Sequence, residues 1–330
     1  MAEMMAARDA FGKALVDLGR VDKRVVVLDA DAAHSTKASM FQDAYPDRFF
    51  QIGIAEQNMM GIAAGLAHMG YAPFVSAFAC FIAKRAMDQI RIQIAQPKLP
   101  VVIMGAYSGL LVGKLGKTHQ SVQDAGIFRA MPNMTVIVPG DGVEVRKAVF
   151  AAAEYGKPVY LRLTRDPTPL IFSQDYDFKI GKAVVVREGT DVAIITTGVM
   201  LYRAVEAADD LQKEGISAHI LHVPTLKPLD EEAVIAAAQK TGRVVTAEEH
   251  TVIGGLGGAV AETLGEHAPT PMRRVGIKDV FGESAPNEDL LVKYGLTSKD
   301  IAEAARSLGA AAKSPMRSIR LFPLSGTSEG

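Results

Sequence analysis

The sequence predicts an α/β protein of two domains, each with a mostly parallel sheet covered by helices. Three observations carry this. The chain has 330 residues, which is room for about two domains. Short β-branched runs without polar alternation recur between helical patterns, as expected of parallel strands buried on both faces. A cluster of chain breakers, Asp166-Pro167-Thr168-Pro169, interrupts the alternation midway.

The elements follow in order. A helix spans about Met4 to Leu18, with Phe11, Leu15 and Leu18 on its apolar side. Strands follow at Val25–Leu28, Phe49–Ile52, Pro73–Val75, Val101–Met104, Thr135–Val138 and Val159–Leu161, with helix patterns between them. These make a first domain over residues 1–170. Residues 171–181 form a linker, because Phe172 to Phe178 has no clear period. A second domain spans 182–312, with strands at Ala183–Val186, Val192–Ile195, Ala218–Leu221, Val244–Thr246 and near Arg274-Val275. Residues 313–330 read as a disordered tail: Ser314 to Gly330 holds two prolines and two glycines and little pattern.

Composition excludes several function classes. Hydrophobic residues make up 48% and charged residues 22%, so large cores can form. A net charge of −1 with no basic block argues against nucleic-acid partners, which need a cationic footprint. The single cysteine, Cys80, rules out a disulfide framework and a cysteine-based zinc site and reads as a small buried filler. Met1 to Arg8 carries two charges ahead of any apolar run, unlike a signal peptide. Apolar stretches fall short of the ~18 residues that span a bilayer. The expectation is a cytoplasmic protein that does not engage a membrane.

The most informative segment is Phe49-Phe50-Gln51-Ile52-Gly53-Ile54-Ala55-Glu56-Gln57-Asn58-Met59-Met60-Gly61, a strand running into a helix with Glu56 on its first turn. By itself, Glu56 is a first-turn carboxylate favoured by the helix dipole. Gly61 and Gly65 lie four apart and leave one helix face nearly bare, which suits close approach by another subunit. Gly70 to Phe81 then ends a strand with two aromatics three apart, Phe78 and Phe81, and a helix starts at Arg85. Alone, the two rings would be core.

Together these segments resemble the pyrimidine-binding half of transketolase. Leu28-Asp29-Ala30-Asp31 with Ser35-Thr36, Tyr45-Pro46-Asp47-Arg48-Phe49-Phe50, Gly53-Ile54-Ala55-Glu56-Gln57-Asn58-Met59 and Thr118-His119-Gln120 match it. So do Ala130-Met131-Pro132-Asn133-Met134-Thr135-Val136 and Val138-Pro139-Gly140-Asp141. The resemblance runs from about residue 5 to 310. It implies a pyrimidine-binding domain followed by a transketolase C-terminal domain, and thiamine diphosphate as cofactor.

The resemblance also implies roles. Glu56 bonds N1′ of the aminopyrimidine and favours the imino form that removes the C2 proton; a carboxyl in a largely apolar interface can share that proton. Phe78 and Phe81 match the aromatics against which the pyrimidine packs, and Asp31 matches a position beside the cofactor. His119 matches a residue that binds ketose hydroxyls or relays protons to them. Ser35 and Arg165 match contacts to the substrate phosphate, a task that suits a guanidinium. Lys114 and Lys117 make the loop before His119 cationic.

Two departures stand out. Leu115 replaces the usual acidic residue four positions before His119, and Tyr107 replaces a histidine twelve positions before it. Leucine accepts no hydrogen bond from a donor hydroxyl, so the usual pentose phosphates are in question while ketol transfer is not. Sulfonated, branched and otherwise modified sugars stay open.

Three other features read as structural. Gly140-Asp141-Gly142 is not a Mg²⁺–diphosphate motif, because residues 166–171 hold no Asn; the chain's asparagines are Asn58, Asn133 and Asn287. It reads as a turn opening a helix. Gly254 to Gly258 lacks the Lys-Ser/Thr of a phosphate loop and reads as a close-packing device. Arg162 reads either as a second candidate for the arginine's role or as an edge-strand charge.

No residue of this chain is assigned to metal. The resemblance implies a separate N-terminal transketolase subunit that carries the Mg²⁺ and diphosphate site, and an α₂β₂ assembly acting on sugar-phosphate-like substrates. The β-subunit of a 2-oxoacid dehydrogenase decarboxylating component, and a non-catalytic subunit of the same fold, remain the alternatives. Pro132-Asn133-Met134 and Thr118-His119-Gln120 favour transketolase, and the intact Glu56, Phe78 and Phe81 argue against lost catalysis.

Overall fold

The computed structural model describes residues 3–311. The strands in chain order are β1 (Met4–Ala6), β2 (Val25–Asp29), β3 (Phe49–Gln51), β4 (Ala72–Phe78), β5 (Val102–Ala106), β6 (Thr135–Ile137), β7 (Val159–Arg162), β8 (Pro167–Pro169), β9 (Val184–Arg187), β10 (Val192–Thr196), β11 (Ala218–His222), β12 (Thr225–Lys227), β13 (Val244–Thr251) and β14 (Met272–Ile277). One sheet runs β12-β6-β7-β5-β4-β2-β3, the other β14-β13-β10-β11-β9. Both are parallel except at one edge, where β12 runs antiparallel to β6 and β9 antiparallel to β11.

Why the strands lack alternation is visible in β2. All five of its residues are buried. Val26 and Leu28 face one core with Met59, Met60 and Ala63 of the helix Glu56–His68. Val25 and Val27 face the other, with Phe11 and Leu15 of the helix Ala7–Val21. Phe11 and Leu15 are fully buried, which contributes ~1.5–3 kcal/mol each.

Several details differ from the sequence reading. The first helix begins at Ala7, because Met4–Ala6 pairs antiparallel with Pro167–Pro169. The breaker cluster is therefore itself an edge strand, where proline is tolerated because it need not donate. The helix after β4 starts at Ala79 and ends at Arg85 rather than beginning there; a π-helical turn over Ile90–Ala95 follows. Arg162 is no edge-strand charge: β7 lies between β6 and β5, and Arg162 is buried 2.9 Å from Asp124.

Asp141 caps the helix Gly142–Tyr155 by accepting from Glu144 N, and its other oxygen accepts from Ile171 and Phe172 N. In the second glycine-rich loop, the Glu248 carboxylate takes the N–H groups of Leu256 and Gly257, where a phosphate loop would hold its anion. The expected tail at 313–330 lies outside the described residues. Among the described residues no helix is long and apolar enough to cross a membrane.

Candidate active site

Parallel strands place their following loops on one side of a sheet, and ligands of open α/β sheets bind there. The sequence-predicted residues follow the carboxyl ends of neighbouring strands: Asp31 and Ser35 after β2, Glu56 after β3, Phe78 and Phe81 at the end of β4, His119 after β5 and Arg165 after β7.

Glu56 is the first residue of the helix Glu56–His68, where the helix dipole favours a carboxylate. It is 3% exposed, and Arg85 Nη1 donates to its Oε1 over 2.9 Å. Sequence reasoning expected largely apolar surroundings and did not assign this cation. Arg85 sits one helical turn after Phe81, and its guanidinium lies 4.1 Å from the centre of that ring.

Phe81 opens an aromatic cluster. Its ring centre is 5.8 Å from that of Phe78 and 5.5 Å from that of His119. Phe78 lies 6.0 Å from His119 and 4.5 Å from Tyr107. The His119 Nδ1 is 2.9 Å from the Thr118 hydroxyl. Tyr107 adopts a left-handed backbone, φ 56°, a strained state for so large a residue. Leu115 is 45% exposed at the end of the short turn Gly113–Leu115.

Beyond Tyr107 lie the cations. The Arg165 guanidinium is 5.6 Å from the centre of the Tyr107 ring. Arg8 Nη1 donates to the Tyr107 hydroxyl at 2.8 Å and to the Ser35 carbonyl at 3.1 Å. Among the described residues the buried Nε atoms of both Arg8 and Arg165 lack a partner. Two guanidinium groups with donors to spare, one of them against Ser35, suit an anion. Arg8 was missed by sequence reasoning: it sits in the first helix, and only tertiary folding brings it to Ser35.

Asp31 stands apart from this chain of contacts. It is exposed with φ 60°, and its N–H donates to Gln51 Oε1 at 2.8 Å. The Gln51 amide in turn donates to Asp29, which is buried with its carboxyl pushed above the usual range, chiefly by that burial. Gln51 also accepts from Gly53 N, so one amide ties the loop of Asp31 to the approach to Glu56.

The helix Glu56–His68 keeps part of its outer face uncovered. A Cβ added at Gly65 meets nothing, and Ile62 and Met69 are exposed nearby, as are Ile54 and Ile92. The bare face is narrower than its sequence suggests, because Ala64 is buried and Gly61 faces Gln93.

Residues 3–169 match the family described as transketolase, pyrimidine binding domain, and residues 181–301 the one described as transketolase, C-terminal domain. This chain belongs to the transketolase family. A 6-deoxy-6-sulfo-D-fructose transketolase subunit from Clostridium sp. (strain MSTE9) is 44% identical to it over 91% of this chain and 94% of that one. A subunit of an apulose-4-phosphate transketolase from Phocaeicola vulgatus is 38% identical over 92% and 97%. A solved structure named "Split gene transketolase, inactive beta4 tetramer" superposes with a TM-score of 0.86 at 50% identity, covering 92% of this chain and 98% of that one. The transketolase family depends on thiamine diphosphate. Among the described residues, no group of three or more His, Cys, Asp or Glu could hold a metal ion.

Proposed function

We propose that this chain is the C-terminal subunit of a two-subunit transketolase, moving a two-carbon ketol unit from an anionic ketose to an aldose. The observation that carries the reading is the run of contacts from Glu56 through Arg85, Phe81 and His119, and through Phe78 and Tyr107 to Arg8 and Arg165. It joins a buried carboxylate, an aromatic surface, an imidazole and two guanidinium groups in one continuous run.

These residues fit the pyrimidine half of thiamine diphosphate. Bound there, the cofactor would supply the carbon nucleophile that ketol transfer needs. Glu56 would hold or share a proton at the pyrimidine ring, with Arg85 donating to its Oε1. Phe78 and Phe81 would pack against the ring and exclude water, and Asp31 would stand beside it. His119 orients the ketose hydroxyls and moves their protons. Arg8, Arg165 and Ser35 grip the substrate's anionic end. In this reading Mg²⁺ and the diphosphate are held by a separate N-terminal subunit, since Asp141 is engaged by its helix cap.

The relatives named for 6-deoxy-6-sulfo-D-fructose and for apulose-4-phosphate support a modified anionic sugar as donor, and so do Tyr107 and Leu115. The division into 1–170, a linker at 171–181 and 182–312, an α₂β₂ assembly and a cytoplasmic site belong to the same proposal. The name of the split-gene tetramer supports self-association of such chains and their inactivity alone. Assay of the purified chain with thiamine diphosphate and Mg²⁺, with and without the diphosphate-binding subunit, tests the reading. Ketol transfer is expected only from the mixture. Robust transfer by the chain alone, or lipoyl reduction from a 2-oxoacid by the mixture, overturns it.

A further inference from the structure

The loop that carries Lys114, Lys117 and His119 leaves the first sheet after Ala106, and its two ends meet where Ser108 and Gly109 bridge Ser121. Its base is closed by the Gly109 N–H, which donates to the Ser121 carbonyl at 2.8 Å. The interior of the loop has little regular structure, a short turn over Gly113–Leu115 being the exception. Its own backbone bonds, among them His119 N–H to the Gly116 carbonyl at 3.0 Å, are local, and contacts from outside the loop tie it to the rest of the chain: Gln120 Nε2 donates to the Glu283 carbonyl at 3.0 Å and Ser284 Oγ to the Lys114 carbonyl at 2.7 Å.

The contact at the start of the loop comes from the second sheet. Glu249, on β13, is 2% exposed, and its Oε1 accepts from Leu110 N at 2.6 Å and from Leu111 N at 2.8 Å. Two successive N–H groups aimed at one oxygen form an anion nest, here filled by a carboxylate of the same chain. Its other oxygen lies so close to Gly109 that a Cβ there would overlap the carboxylate, and Gly109 has φ 74°. Glycine is thus required twice over. The Glu249 carbonyl accepts from Arg162 Nη2 at 3.0 Å, and the same nitrogen donates to the Ser121 carbonyl at 3.2 Å. Glu249 and Arg162 therefore hold both ends of the loop.

We propose that Glu249 is a positioning residue: from the second sheet it fixes the first turn of the loop and so sets His119 against Phe78 and Phe81. The inference rests on the reading of His119 as substrate-facing for its importance, though not for its geometry. Burial pushes the Glu249 carboxyl up to about 7, so glutamine is a fair mimic of the side chain near neutral pH.

Two conservative substitutions in the full chain test it. Glu249→Asp keeps the charge but withdraws the carboxylate by one methylene, and Glu249→Gln loses the charge but keeps an oxygen in place. Amide exchange at Leu110 and Leu111 and the His119 imidazole NMR signals are followed, with exchange in β10 and β11 as the internal control. A positioning role predicts at least about tenfold faster exchange at Leu110 and Leu111 and shifted His119 signals in Glu249→Asp. Glu249→Gln should stay near wild type, with the control strands unchanged in both. The reverse pattern would assign an electrostatic role and overturn the proposal. Unchanged exchange in both variants, or acceleration that extends to β10 and β11, overturns it as well. Ketol transfer by the assembled enzyme is read separately: a released loop with undiminished transfer would refute the role of His119 and leave the positioning intact.

Discussion

Arg8 donates to the hydroxyl of Tyr107 over 2.8 Å, although 99 residues separate them in the chain. The Tyr107 ring also lies 4.5 Å from Phe78 and 5.6 Å from the Arg165 guanidinium. The groups suited to an anion are thereby braced by the aromatics suited to a cofactor. A substrate's charged end and its reacting end would be held at a set separation, which is how positioning lowers a barrier.

Arg8→Ala and Arg165→Ala should each weaken anionic substrates. Loss of a charged hydrogen-bond partner costs ~1.5–3 kcal/mol, or roughly 10- to 150-fold. KM for a phosphorylated or sulfonated ketose should rise by that order, with a smaller effect on a neutral ketose. Unchanged KM for every anionic donor would dismiss the anion site.

Glu56→Gln keeps the shape of the side chain but cannot exchange a proton at the pyrimidine in the same way. Loss of acid–base assistance is worth ~10²–10⁴-fold. Turnover of the assembled enzyme should drop by that order while circular dichroism stays the same. Near-normal turnover would remove Glu56 from the chemistry.

Gly65→Leu adds a large side chain where this chain leaves open space. The monomer should fold as before. If Gly65 lies at a contact between subunits, overpacking costs ~1–3 kcal/mol, and sedimentation should show weaker assembly and a parallel loss of activity. A mutant that assembles like wild type would place the interface elsewhere.

Burial pushes Glu248 up to about 7 from its ordinary 4.5. Between those values the folded chain holds a proton that the unfolded chain has released, so this group's contribution to stability falls as pH rises from about 4.5 to 7 and is level above. His250 beside it is pushed down to about 4 by burial, and its contribution rises with pH between 4 and its ordinary 6.5. Glu248→Gln removes only the first effect. In urea denaturation, the variant should gain stability relative to wild type between pH 5 and 7 and hold that difference to pH 8. A difference independent of pH across this range would contradict the assignment.

Much of the fold was legible because burial on both faces leaves its mark in unbroken runs such as Val25–Leu28. Glu56, Phe78 and Phe81 were legible as a local pattern around one strand and one helix. Arg8 and Glu249 were not, since each acts on a loop more than 25 residues away and nothing in its own neighbourhood signals that. Arg162 was ambiguous for a related reason. A lone arginine after a strand has the same appearance whether its strand is at the edge or in the centre, and only the strand order places it beside Asp124. The short strand Met4–Ala6 was hidden by its own proline-bearing partner.

The strand β12 has a bearing on synthesis. It belongs by sequence to the second half of the chain but completes the first sheet by pairing with β6. As the polypeptide leaves the ribosome, Thr135–Ile137 therefore waits with an uncovered hydrogen-bonding rim until Thr225–Lys227 emerges. Uncovered rims of this kind recruit other chains. A fragment ending at residue 181 should come out of expression largely as aggregate, and one ending at residue 230 should yield more soluble protein. Equal solubility of the two would mean that the first half protects its own margin.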